Sequence, residues 1–89
     1  MVDLNVQATD EAREYLSAIA GEMALLFSIP IEEAYGRINR EFAARSFTTE
    51  IEVLTLLHEE EDVWAKHIYY GRESFWWVDE DGASPQKYP

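Results

Sequence analysis

The chain has no cysteine. That excludes disulfide staples and thiolate metal centres, so packing and hydrogen bonding alone must hold the fold. Basic residues are scarce: seven Lys and Arg stand against eighteen Asp and Glu, a formal net charge of −11. Phosphate contacts need clustered Lys and Arg, and a field of this sign repels a polyanion, so the balance opposes direct binding to DNA or RNA. Long apolar runs are missing too. The longest stretch, Met23 to Ile31, is broken by Ser28 and Pro30 and is far too short to span a bilayer. The opening residues MVDLNVQATDEAR lack a basic region ahead of an apolar one, which predicts no signal peptide of the usual kind and makes a cytoplasmic location the default. There is no Gly-rich phosphate loop, no serine in a nucleophile-elbow context and no internal repeat.

What is present points to one small helical domain. At 89 residues the chain holds a single core of modest stability. A hydrophobic content of 47% excludes disorder as a whole, because that much apolar surface offsets the entropy of ordering. Thr9 or Asp10 caps a first helix, with Asp10, Glu11 and Glu14 at the positive end of its dipole. Ala12, Tyr15, Leu16, Ile19, Met23, Leu26 and Phe27 recur at helical spacing. Gly21 interrupts that helix and suits close approach of another one. Ser28 to Pro30 break the pattern, with Pro30 fitting the first turn of a second helix that runs to about Arg45. Its apolar stripe is Ile31, Ala34, Tyr35, Ile38 and Phe42.

The segment Phe47 to Leu57 fits two descriptions. Thr48 or Thr49 caps a short helix that buries Ile51, Leu54 and Leu57, while Ile51-Glu52-Val53 alternates as a strand does. A lone strand finds no obvious partner, which favours a short helix or turn. Residues Glu60 to Tyr70 predict a further helix, with Val63, Trp64, His67 and Ile68 on one face and Gly71 as its stop. Glu73 to Val78 form an aromatic segment expected to pack back on the helices. The expected architecture is mainly α: a compact bundle of three to four helices over residues 1–78, crossed by that segment, with Leu16, Ile19, Ile38 and Trp64 in the core. Residues 79–89, DEDGASPQKYP, have loop composition and predict a flexible tail.

The richest segment is His58 to Trp77, which carries all three tryptophans, Tyr69, Tyr70, Phe75 and both histidines behind the acidic run Glu59 to Asp62. Three function classes compete for it and for the second helix. The first is a non-enzymatic interaction protein that binds a basic protein partner, or self-associates, through an aromatic and acidic surface. Its candidate residues are Glu59, Glu60, Glu61, Asp62, Tyr70, Trp76 and Trp77. Trp76 and Trp77 are adjacent, so in extended chain they point to opposite sides and one of them reaches the surface. The plain alternative is that both rings only complete the core. The second class is a helix-turn-helix DNA-binding regulator reading bases with Arg37, Asn39 and Arg40. The flanking Glu32, Glu33 and Glu41 oppose it. The third is a small metal-dependent enzyme using His58, Asp62 and His67. His67 lies nine residues from His58 and points elsewhere, and consecutive acids fan outward instead of converging on a cleft. The first class fits best, with no catalytic residue, cofactor, metal, nucleic acid or membrane in the expected mechanism.

The segments SIPIEEAYGRINREF (Ser28–Phe42) and HEEEDVWAKHIYYG (His58–Gly71) resemble a pattern of small bacterial proteins, actinobacterial ones in particular, over about a third of the chain. The resemblance implies a bacterial, cytoplasmic, standalone helical domain and carries no activity or catalytic residue with it.

Overall fold

The first helix starts where its cap predicts. In the computed structural model, which describes residues 3–71 and 75–88, Thr9 is extended and its hydroxyl accepts from the Ala12 N–H at 3.2 Å. Helix α1 then runs Asp10–Phe27 and stops at Ser28, whose left-handed backbone (φ 54°) turns the chain. Pro30 takes the capping position of α2 (Ile31–Glu41), one residue ahead of the helical turn expected for it. Two further helices follow, α3 (Glu50–Leu57) and α4 (Glu61–Tyr70). Helix α1 packs chiefly on α4 and α2, giving a mainly α bundle of four helices among the described residues. No helix among them is long and apolar enough to cross a membrane.

The core follows the helical stripes. Leu16, Ile19, Ala20 and Met23 of α1 meet Ala34 and Ile38 of α2, Leu56 of α3, and Trp64, Ala65 and Ile68 of α4. All four residues expected there are buried. The Trp64 indole N–H donates to the Leu56 carbonyl at 2.7 Å, so the ring enters the core without an unmet donor.

Several local expectations are corrected. Helix α2 ends at Glu41 and does not reach Arg45, because Phe42 leaves helical geometry and its ring meets Phe47 edge-on at 5.1 Å. Satisfying that contact requires the chain to turn at 42–45. It then enters a two-residue strand, β2 (Ser46–Phe47), paired with β1 (Gln7–Ala8) in parallel register Gln7 to Ser46 and Ala8 to Phe47, while Ile51 to Val53 are helical as the favoured reading has them. The lead-in to β1 is held from two sides. Asn39 accepts from the Asn5 N–H and donates to the Asp3 carbonyl, while Arg13 donates to the carbonyls of Val6 and Leu4.

The capping of α3 is the reciprocal kind, Thr49 with Glu52. Its buried stripe is Val53 and Leu56, with Leu57 half-buried, whereas Ile51 and Leu54 are 78% and 59% exposed. Both stripes have helical spacing. Glu52 also accepts from Ser46 and Thr48, and this grip on the first turn sets which stripe faces inward. Gly21 faces solvent with open space where a Cβ would stand, so it admits no neighbouring helix.

Three of the last four carbonyls of α4 find partners beyond the helix end. The Gly71 N–H donates to His67, the Gln86 side chain to Ile68 at 3.1 Å, and the Gln86 backbone N–H to Tyr69 at 2.7 Å. Arg37, only 5% exposed, donates to the Gln86 carbonyl at 2.9 Å, pairs with Glu33, and lies over the rings of Tyr69 and Tyr88. Arg40 donates to the Lys87 carbonyl. Residues 79–88 contain no helix or strand, in line with their composition, but these hydrogen bonds seat Gln86 to Tyr88 against α2 and α4. Gly36 makes the seat: a Cβ there would fall on the Tyr88 hydroxyl. Met1, Val2, Arg72 to Ser74 and Pro89 lie outside the described residues, and with them the start of the expected Glu73–Val78 segment.

Two glycines in helices therefore predict opposite outcomes for one substitution. Gly21→Ala should stabilise the protein by up to about 1 kcal/mol, since alanine costs less to hold in a helix and meets nothing there. Thermal unfolding reads it as a rise of several degrees. Gly36→Ala should displace Tyr88 and make the segment 79–88 exchange amide protons faster, with no comparable gain in melting temperature.

Glu52 predicts an acid limb in stability. Hydrogen bonds from the backbone of Thr49, then of Thr48, hold its carboxyl at about 2 against an ordinary 4.5. The folded value is depressed, so the stabilisation is complete above 4.5 and fades as pH falls toward about 2. Urea unfolding across that window should show wild type and Glu52→Gln differing at the upper end and converging at the lower. A gap that stays constant with pH would contradict this origin.

Candidate functional site

Beyond α4 the chain makes a tight turn in which Val78 donates its N–H to the Phe75 carbonyl at 2.9 Å. Phe75 has a left-handed backbone (φ 52°), a conformation that costs a residue with a bulky side chain about 1–2 kcal/mol. The turn sorts the run Phe75-Trp76-Trp77-Val78. Trp76 is 8% exposed, while Phe75, Trp77 and Val78 are 60%, 51% and 77% exposed. The rings of Phe75 and Trp77 meet at 5.4 Å, and Trp76 meets Trp77 edge-on at 5.9 Å. Three large apolar side chains thus stand in water on a base formed by the fourth.

That base is fixed to α4. The Trp76 indole N–H donates to His67 Nδ1 at 3.2 Å, so that imidazole nitrogen acts as the acceptor. The His67 ring also meets Trp64 and Trp77 edge-on. Lys66 lies over Trp76 at 5.3 Å and pairs with Glu80 at 3.0 Å. The Tyr70 hydroxyl donates to the other Glu80 oxygen at 3.4 Å, and burial, then the Glu80 charge, pushes that phenol above its ordinary 10.0. Lys66 and Tyr70 are four apart on one stripe of α4, so Glu80 is gripped by successive turns of the helix.

The acidic run sits at the opposite end of the same helix. Glu60 takes the capping position of α4, Glu61 and Asp62 fall in its first turn, and Asp62 accepts from the Val63 N–H. The Glu59 carbonyl accepts from the Tyr15 hydroxyl. Glu60, Glu61 and Asp62 converge with Glu22 and Tyr15 on one shallow cleft of about 280 Å³. Burial first, and then Glu61, Glu60, Asp62 and Glu59, raise the Tyr15 phenol above 10.0. Asp62 precedes Lys66 by one turn, a rise of about 6 Å, which brings the acidic end close to the aromatic turn.

The sequence-predicted residues thus divide. Trp77 stands at the surface, whereas Trp76, also expected at the interface, is buried; the two rings are separated by a turn and not by the extended chain that the expectation assumed. Tyr70 is half-buried and committed to Glu80, and the four acids surround the start of α4. Phe75 and Val78 were not among the candidates. Their signal is the unbroken run FWWV, four large apolar residues with no helical or strand period, which a turn cannot bury together. His58 ends α3 in solvent, away from the ring cluster around His67, and no group of three His, Asp or Glu side chains among the described residues is arranged to hold a metal ion. Arg37, Asn39 and Arg40 all serve the fold: Arg37 and Arg40 hold the tail, and Asn39 holds the lead-in to β1. Comparison with protein-family models, with curated proteins and with solved structures finds no match to this chain.

Proposed function

We propose that this protein is a non-enzymatic interaction module that docks a basic protein partner through Phe75, Trp77 and Val78. The observation that carries this reading is the exposure of those three side chains around a Trp76 anchored to His67. Exposed rings on a fixed base lose little entropy on binding, and tryptophan anchors typically contribute 2 kcal/mol or more, about 30-fold in affinity. The patch is bordered by Asp79, Glu80 and Asp81, with Glu61 and Asp62 farther along α4.

Charge selects the partner. Of eighteen acids, two form ion pairs among the described residues, Glu33 and Glu80, so most of the negative field faces solvent. Such a field steers a Lys/Arg-rich face toward the patch and discourages acidic proteins. It also opposes a second copy of the chain, since each carries −11. A protein partner is favoured over duplex DNA for the same reason, and because Arg37, Asn39 and Arg40 are occupied by the fold.

Substitutions at the two tryptophans should separate docking from folding. Trp77→Ala is expected to keep the melting temperature within a few degrees while abolishing capture of a basic protein from host extract. Capture by the unaltered chain should weaken as salt is raised. Trp76→Ala should instead lower stability, by no more than about 3–5 kcal/mol, through loss of a buried ring. Undiminished capture by Trp77→Ala, or captured proteins that are acidic, would sink the proposal.

For nucleic acid the expectation is no retention of duplex DNA at physiological salt. A salt-sensitive complex that weakens on Arg40→Ala would instead promote the regulator reading.

A further inference from the structure

A cleft of about 640 Å³ opens where α2 turns into β2, bounded on its far side by the lead-in to β1. Its walls include Gln7, Asn39, Phe42, Ala43, Arg45 and Ser46, and its lining holds no Asp or Glu. In a chain whose acids outnumber its bases eighteen to seven, that is an unusual stretch of surface. The cleft beside Tyr15, by contrast, is lined by four acids.

Arg45 is what distinguishes the cleft. The other described arginines are occupied: Arg13 by the carbonyls of Val6 and Leu4, Arg37 by Glu33 and Gln86, Arg40 by the Lys87 carbonyl. Arg45 forms no ion pair among the described residues. Its guanidinium carbon lies 5.6 Å from the Phe42 ring centroid and 5.3 Å from that of Phe47. Ring contact holds a guanidinium by its face and leaves the N–H donors along its edge available. That edge matches a carboxylate, which accepts two parallel hydrogen bonds from it. The Gln7 amide is exposed, and Asn39 uses one of its two amide N–H donors on the Asp3 carbonyl, leaving the second. Ala43 and Ala44, both exposed, add apolar wall.

We infer that this cleft binds a small organic monocarboxylate with an apolar body, its carboxylate on Arg45 and its body against Ala43 and Ala44. The volume lies within the range of small-molecule sites. A single guanidinium balances one negative charge, so a dianion such as phosphate would be left partly uncompensated in the field of an acidic protein. Glu52, whose carboxylate accepts from Ser46 of the lining at 3.1 Å, is committed to that hydroxyl and to Thr48 and Thr49; acids beyond about a Debye length, roughly 8 Å at physiological salt, oppose a monoanion weakly.

Phenylacetate is a suitable probe, titrated to millimolar concentration into the full ¹⁵N-labelled chain. The expected result is saturable shifts at the side-chain amides of Gln7 and Asn39 and at the backbone of residues 43–46. Arg45→Gln should weaken binding at least tenfold while lowering the melting temperature by no more than a few degrees, since Arg45 is exposed and loses only its contacts over Phe42 and Phe47. The neutral isostere phenylacetamide should bind at least tenfold more weakly to the unaltered chain, a comparison that decides the matter even if the variant folds poorly. Equal binding of the amide, equal binding by Arg45→Gln, or shifts elsewhere on the surface would each overturn the inference. So would tighter saturation by inorganic phosphate. Binding of acetyl-Gly-Phe through its free carboxyl in the absence of phenylacetate binding would assign the cleft to a peptide terminus and overturn the small-molecule proposal.

Discussion

A guanidinium removed from water needs a partner for each of its faces and edges, and Arg37 draws those partners from three parts of the chain. Glu33 comes from its own helix, the Gln86 carbonyl and the Tyr88 ring from the tail, and the Tyr69 ring from α4. The remaining tail geometry follows. With its carbonyl held by Arg37, Gln86 presents its N–H and its side chain to the open carbonyls of α4. The aromatic turn at 75–78, itself anchored on α4 through Trp76 and His67, precedes this fixed point in the chain.

The few basic residues are used in a consistent way. Arg13, Arg37 and Arg40 donate to backbone carbonyls, and Arg45 and Lys66 lie over aromatic rings. Of these, Arg37 and Lys66 also pair with carboxylates, Glu33 and Glu80, so most of the acids keep their charge uncompensated. Other engaged acids are engaged locally: Glu52 in the capping of α3, Asp62 at the start of α4. The net charge is therefore a property of the outer surface, where it bears on association more than on stability.

What was legible in the sequence was whatever has a local period or a local cap. Leu16, Ile19, Ile38 and Trp64 are core because helical spacing repeats within a few residues, and Thr9 and Thr49 cap helices through N–H groups three positions on. Helix α3 was harder. In eight residues the stripes Ile51-Leu54 and Val53-Leu56 are equally periodic, and the choice is made by Glu52 reaching to Ser46, outside the helix. The β1–β2 pair offers two residues on each side and no pattern; it exists because Asn39 and Arg13 hold the lead-in in place. The candidate site divides in the same way. An aromatic surface is readable from FWWV, but which ring turns inward depends on His67 offering an acceptor nine positions away.

The hydrogen bonds that fasten the two outer segments also close long loops. Asn39 reaches back 36 positions to Asp3, and Arg37 reaches forward 49 to Gln86. Closing such loops costs entropy that grows slowly with length and is recovered only once the receiving helices are in place. The helices themselves rest on contacts within a few residues. The order of assembly this imposes is helices first, lead-in and tail last, and the order of opening is the reverse. The aromatic turn belongs to the part that forms late and opens early, a region of low local unfolding free energy on a more durable helical base. A partner that grips Trp77 would therefore hold shut the segment that comes loose most readily, and binding would register as slowed amide exchange across the tail well before it raised the stability of the core.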